Sequence, residues 1–316
     1  MSRSPLIIAH RGASGYRPEH TLAAYELAIE MGADFIEPDL VITKDGVLLA
    51  RHENEISETT DVAERPDFAE RRTTKRVSNA DVTGWFTEDF TLAEIKTLRA
   101  KERLYFRDQS WNGQFEVPTF AEVLDLARRK SVETGRIIGV YPETKHPRYF
   151  RSIGLPLEEP LVEALHAAGY QGRNAPVYIQ SFATGNLKAL RRMTDLPLIQ
   201  LLEAAGQPRD DPRTYRELAS PAGLAEIATY ADGIGPNKRL IVPERPDRSL
   251  GPATSLVDDA HRAGLLVHPW TFRNDEPFLS PDYQGEPERE YKHFYDLGVD
   301  GVFSDFPDVA MHTRNQ

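Results

Sequence analysis

The chain has no cysteine. Disulfides and thiolate metal ligands are therefore excluded, although the compartment is left open. No apolar run approaches the ~18 residues that a membrane helix needs; the longest, such as 196–202, are strand-sized. Positive charge is in deficit, with 38 Lys and Arg against 49 Asp and Glu and a formal net charge of -11. A general nucleic-acid surface is thereby disfavoured. An acidic protein still binds a small anion where a local cation or arginine cluster reverses the field. No G-x-G-x-x-G or Walker loop follows a strand-like run, so a nucleotide-binding Rossmann reading is weak. No leader is visible either, because Met1-Ser2-Arg3-Ser4 runs straight into a strand expected over 5–9. As written, the chain reads as cytoplasmic; it reads as periplasmic if an export signal has already been removed from it. The expected partner is a small molecule, with no nucleic acid, no stable membrane insertion and no assigned oligomeric state.

What is present is an alternation. Short apolar or β-branched runs at 6–9, 35–36, 137–140, 177–180, 198–202, 233–235, 265–268 and 302–303 read as strands. Helical spacing follows the first of them, with Leu22, Tyr25, Ala28 and Ile29 on one face and Met31-Gly32 as the stop. Further helices are expected at 117–130, 157–168, 185–193, 222–230, 253–263 and 288–297. Eight strand–helix units fit the chain, which favours an α/β fold of the (β/α)8 TIM-barrel kind over an open doubly wound sheet. The expectation is one domain over 1–316. The stretch from about 53 to 116 breaks the rhythm: it is charged and irregular, with Glu-Arg-Arg-Thr-Thr-Lys-Arg at 70–76. So long a stretch without clear units reads as a small insertion subdomain at the barrel mouth, with a mobile surface segment as the alternative.

Three fragments gather the chemistry: His10-Arg11-Gly12, Glu37-Pro38-Asp39 with His52, and Glu143-Thr144-Lys145. Each follows or ends a strand-like run, where barrel enzymes carry their sites. Glu37 and Asp39 are two apart, so a strand points both to one face. Two such carboxylates repel, and a cation removes the conflict. With Glu143 as a third oxygen, the set suits one divalent cation, Ca2+ or Mg2+, rather than structural zinc. Simple pairing with Arg and Lys is the plainer alternative for any one of these acids. A two-residue turn at Asp45-Gly46 would set Lys44 against Val47 and so bring His52 opposite Asp39. His10 and His52 are acid/base candidates, because imidazole titrates near pH ~6.5. Either could instead be a metal ligand or a buried structural histidine. His20 reads as a helix-start residue near the mouth, and His268 as a weaker site candidate. Arg11 offers a planar fork to a phosphate, and Lys145 an ammonium to a non-bridging oxygen. Trp270, Phe182 and Tyr16 are placed to wall a pocket against the apolar side of a glycerol unit, or to pack the rim. Together the residues point to metal-assisted cleavage of a phosphodiester.

The same fragments resemble the signatures of the glycerophosphodiester phosphodiesterases. The likeness is carried by His10-Arg11-Gly12-Ala13-Ser14-Gly15 with Pro18-Glu19-His20-Thr21, by Glu37-Pro38-Asp39-Leu40 with Thr43-Lys44-Asp45-Gly46 and His52, and by Tyr141-Pro142-Glu143-Thr144-Lys145. Later elements around Val267-His268-Pro269-Trp270 and Phe303-Ser304-Asp305-Phe306 extend it from about Leu6 to Val309. It is nearest the bacterial, periplasmic-type branch, which uses calcium. One departure is local: Glu53 stands after His52 where the family usually has Asp. The resemblance implies a TIM barrel with an insertion after the second histidine. It implies metal ligands at Glu37, Asp39 and Glu143, a catalytic pair at His10 and His52, and Arg11 and Lys145 on the phosphate. The implied products are sn-glycerol 3-phosphate and an alcohol such as choline or ethanolamine. A lipid-directed phosphodiesterase of phospholipase C or D type is the nearest rival, and the charged insertion argues against it. A non-catalytic phosphate-ligand binding protein is the second, and it would not need two histidines aimed at one metal.

Overall fold

The computed structural model describes residues 4–316; Met1, Ser2 and Arg3, on which the reading of the leader rests, lie outside the described residues. The strands run β1 (Leu6–His10), β2 (Phe35–Glu37), β3 (Asp39–Ile42), β4 (Leu48–Ala50), β5 (Thr73–Val77), β6 (Ala80–Gly84), β7 (Gly139–Val140), β8 (Glu143–Thr144), β9 (Ile179–Ser181), β10 (Leu198–Leu202), β11 (Gly233–Pro236), β12 (Leu266–Val267) and β13 (Gly301–Ser304). Eight parallel staves close a barrel, because β2 with β3 and β7 with β8 each form one stave. Each of these two breaks falls at a proline, Pro38 or Pro142, which has no N–H for the ladder. Register survives the break: Tyr141 N donates to Ile36 O, Glu143 N to Pro38 O, and Lys145 N to Leu40 O. The ring closes where Asp300 N donates to Val267 O and Phe303 N to Pro269 O. Helices Leu22–Glu30, Phe120–Thr134, Glu158–Ala167, Thr184–Arg191, Pro221–Ile227, Leu256–Arg262, Pro287–Asp296 and Pro307–Arg314 surround it. The second begins with a capping box of Thr119 and Glu122 and ends at Gly135 with φ +66°. Among the described residues no helix is long and apolar enough to cross a membrane.

The interior explains where the site lies. Ile8, Phe35, Tyr141, Ile199 and Phe303 pack together inside the barrel as an apolar plug. Strand alternation puts the residue two further on in the same direction, one layer nearer the mouth. That residue is His10 after Ile8, Glu37 after Phe35, Glu143 after Tyr141 and Asp305 after Phe303. A second, larger apolar cluster fills the space between staves and helices.

Between β4 and Phe120–Thr134 the chain is more regular than its composition suggests. The basic run at 70–76 enters β5, which pairs with β6 in an antiparallel hairpin. Both strands bury only one end residue, so no apolar alternation marks them. Phe90, Ile95 and Leu98 are fully buried in the main core and seat the stretch.

Gly12 turns the chain after β1 at φ +89°, and a Cβ there would stand 2.6 Å from the Ala24 carbonyl carbon. Both the backbone region and the contact exclude a side chain. Gly12→Ala is expected to cost about 2–4 kcal/mol, read as a lowered urea midpoint at unchanged slope.

Candidate active site

The β3–β4 hairpin places its side chains one residue away from expectation. Leu40 pairs with Ala50, Val41 with Leu49 and Ile42 with Leu48. The connection is a three-residue loop, Lys44-Asp45-Gly46, closed by Thr43 N donating to Val47 O, with Gly46 at φ +82°. The Thr43 hydroxyl bonds Asp45 and accepts from Val47 N, which stabilises the longer loop. Arg51 therefore stands opposite Asp39, its N–H on the Asp39 carbonyl, and its buried guanidinium donates to the carbonyls of Glu19 and His20. His52 follows the strand, beyond that pairing. Its ring still lines the same cavity as His10, Arg11, Glu37, Glu143 and Lys145, a space of about 720 Å³.

Glu37, Asp39 and Glu143 converge, with one oxygen of each within 4.8 Å of the others. Their buried surroundings fix them. Glu37 accepts from Arg11 N at 2.8 Å and from Gln180 Nε2 at 3.0 Å. Asp39 Oδ2 bonds His20 Nε2 at 2.9 Å. Glu143 lies 2.8 Å from Lys145 Nζ. Burial, then Asp39, holds the Glu37 carboxyl well above its ordinary range. Glu143 is pushed up to about 8, by burial first, against the pull of Lys145. Asp39 goes the other way: Lys145, the His20 bond and Arg11 outweigh its burial. Asp39 Oδ1 is nevertheless buried without a hydrogen-bond partner among the described residues. Three crowded acids and an orphaned oxygen fit a hard divalent cation.

His10 is tied through Nδ1 to Asp305 Oδ1 at 2.6 Å. Burial opposes ionisation of Asp305, but Arg273, His10 and Arg107 hold its carboxyl well below the ordinary range. An ionised partner makes Nδ1 the donor, which leaves Nε2 as a free lone pair. Burial and then Arg11 lower the His10 pKa to about 4, so the ring is neutral at pH 7. His52 also meets a carboxylate through Nδ1, Glu53 Oε1 at 3.0 Å. The other Glu53 oxygen bonds His146 Nε2 at 2.7 Å, and His146 Nδ1 bonds the Ser78 hydroxyl at the tip of the β5–β6 hairpin. Enclosure, Arg11 and Lys145 lower the His52 pKa.

Arg11 sits in a left-handed turn at φ +59° and places its guanidinium 3.1 Å from Glu19 and 3.2 Å from Asp39. Lys145 lies between Glu143 and Asp39. Phe182 and Trp270 line the cavity and meet edge to face at 5.7 Å. Tyr16 does not join them. Its hydroxyl donates to Asp308 and its ring packs on Phe306, so the loop after β1 turns it outward from the cavity.

Several neighbours escape a reading of spacing. His20 is not a helix cap, a role that falls to Thr21; it is fully buried and orients Asp39. Asp305, Gln180, Arg103 and Arg107 also serve the site. Arg103 Nε bonds Glu19 at 2.9 Å, and Arg107 bonds both Asp275 and Asp305 at 2.6 Å. Two arginines of the stretch between β4 and Phe120–Thr134 thus brace the partners of Arg11 and His10. Asp305 and Gln180 had a usable signal, the same two-residue step beyond Phe303 of the plug or Tyr178 packed against it that marks His10, Glu37 and Glu143.

Comparison with known proteins gives one consistent result. The family model described as the glycerophosphoryl diester phosphodiesterase family matches residues 10–309. A glycerophosphodiester phosphodiesterase of Arabidopsis thaliana, GDPD6, is 42% identical over 316 residues, covering 96% of this chain and 84% of its own. A glycerophosphodiester phosphodiesterase of Haemophilus influenzae is 30% identical, covering 98% and 90%. Among solved structures, an Oleispira antarctica phosphodiesterase in complex with the product sn-glycerol-3-phosphate superposes with a TM-score of 0.67 at 21% identity, covering 99% of this chain and 97% of that one. That last likeness is one of fold, the TIM barrel.

Proposed function

Because the chain belongs to the glycerophosphoryl diester phosphodiesterase family, we propose that it hydrolyses glycerophosphodiesters such as glycerophosphocholine and glycerophosphoethanolamine, releasing sn-glycerol 3-phosphate and an alcohol. The observation that carries this is the convergence of Glu37, Asp39 and Glu143 at a cavity that Glu37, Glu143 and two histidines line. The family depends on a divalent metal, and these three acids would hold it, as calcium or magnesium. A bound cation there supplies charge stabilisation to the phosphoryl group.

The protein's own residues carry the rest. Arg11 and Lys145 bring fixed positive charge to the non-bridging oxygens, where negative charge grows in the transition state. His10 Nε2 takes the proton of the attacking oxygen, either a water or the neighbouring glycerol hydroxyl whose cyclic phosphate a water then opens, because Asp305 pins its other nitrogen as a donor. His52 hands a proton to the departing alkoxide. Arg11 and Lys145 hold its pKa down in the free protein; an arriving phosphodiester anion offsets that charge and favours the imidazolium. Phe182 and Trp270 supply an apolar wall for the glycerol carbons. The residues from about 53 to 116 act as a mouth insertion of one barrel domain, bracing the site through Arg103 and Arg107.

Incubation of the calcium-loaded protein with glycerophosphocholine tests the reading. Stoichiometric glycerol 3-phosphate and choline are expected. Release of phosphocholine and glycerol would place the cleaved bond on the other side of phosphorus, and no turnover across a panel of headgroups would reduce the site to a binding pocket.

A further inference from the structure

Gln180 stands on β9 in register with Glu143 on β8. Its side chain is buried, at 1% exposure, and it lines the cavity. Nε2 donates to Glu37 Oε1 at 3.0 Å and faces Tyr141 O at 3.5 Å. A carboxylate and a backbone carbonyl only accept, so the amide can present only its nitrogen to them. Its oxygen is turned the other way, and Gln180 Oε1 has no hydrogen-bond partner among the described residues. Asp39 Oδ1 shares that condition. Both atoms are acceptors, both are closed to water, and both belong to the residues around the three acids. Lys145 Nζ stands 3.9 Å from Asp39 Oδ1, beyond hydrogen-bond reach, and buried acceptors left without a hydrogen bond are satisfied by a bare cation.

We infer that Gln180 Oε1 is a fourth protein oxygen for the cation, a neutral ligand beside Glu37, Asp39 and Glu143. This rests on the reading of the three acids as a metal site, and not on the identity of the substrate. A side-chain amide carbonyl is an ordinary calcium ligand. Magnesium more often keeps several waters and takes one or two carboxylates. The four oxygens therefore select calcium over magnesium. Gln180 plays two parts on one amide: its nitrogen positions Glu37 and its oxygen reaches the ion.

Calorimetric titration of CaCl2 and of MgCl2 into metal-stripped full-length protein, without substrate, separates these parts. Gln180→Leu removes both, and Gln180→Glu keeps an oxygen while losing the donor. Gln180→Leu is expected to weaken calcium about tenfold or more and to narrow the calcium preference. Gln180→Glu is expected to bind calcium at least as tightly as the wild type. If both variants weaken calcium alike, the amide serves only to position Glu37 and the inference fails. Unchanged affinity in Gln180→Leu, or no calcium bound by the wild type, overturns it too. Should a variant not fold, a Mn2+ soak of wild-type crystals decides by anomalous scattering. A peak bonded to the three acids but out of reach of Gln180 Oε1 sinks the proposal; one within coordination distance of it supports it. Calcium bound through Gln180 in a protein that leaves glycerophosphocholine intact would refute the hydrolase reading alone.

Discussion

Glu37→Gln is expected to lower kcat/KM for glycerophosphocholine on the order of 10³-fold or more, and EDTA to do the same to the wild type until calcium is restored. Several kcal/mol of transition-state charge stabilisation is what a catalytic cation contributes, and a thousandfold corresponds to about 4 kcal/mol. Glutamine keeps the shape of Glu37 and can still accept from Arg11 N, so folding is preserved while one ligand charge is lost. Far-UV circular dichroism should be unchanged. A variant that retains calcium affinity and turnover would show that the acids pair only with Arg11 and Lys145. The protonation of these acids sets a second expectation. Burial and mutual repulsion raise Glu37 and carry Glu143 to about 8, so the metal-free site holds protons at neutral pH. A cation must displace them. Calcium affinity should therefore tighten as pH rises through neutrality towards 8. The sign for stability is the same. A group with a raised carboxyl pKa binds more protons folded than unfolded between about 4.5 and 8, so the metal-free fold loses stability across that window as pH rises. Calcium should accordingly raise the melting temperature more at pH 8 than at pH 6.

Most of this site follows from local pattern, and what does not follow has two physical causes, one at long range and one at short. The staves are short β-branched runs, and the acids two positions beyond their apolar residues need only strand periodicity to be placed. The partners of those acids depend on contacts between distant parts of the chain. Asp305 lies 295 residues from His10, Gln180 143 from Glu37, and Arg107 198 from Asp305. Barrel closure and the stretch before Phe120–Thr134 bring them together, and no local spacing encodes either. The hairpin shows the limit at short range. Asp45-Gly46 suits a two-residue turn, but the Thr43 side chain bonds Asp45 and Val47 and lengthens the loop by one residue. A one-residue slip exchanges the two faces of a strand, and so Arg51 takes the place expected for His52.

His10→Ala is expected to cut kcat about 10²–10⁴-fold with little change in KM, the range general acid–base catalysis contributes. The substrate is gripped by other residues, so binding survives the loss of the ring. Added imidazole should restore part of the rate at saturating calcium, which replacement of a merely structural side chain would not allow. Asp305→Ala should cost less, because the ring remains while its tautomer and orientation are freed and Arg107 and Arg273 lose their shared carboxylate. The pH profile gives an independent check. Burial and the Arg11 charge hold His10 near 4 against the raising effect of Asp305. At saturating calcium and substrate, where the bound phosphodiester favours the His52 imidazolium, kcat should thus stay level well below the ordinary histidine range near 6.5 and fall only as Nε2 gains a proton towards pH 4. Asp305→Ala removes the group that favours the proton and should move that limb further down. An acid limb centred near 6.5 would assign it to an exposed imidazole, and full activity in His10→Ala would remove the ring from the proton-transfer path altogether.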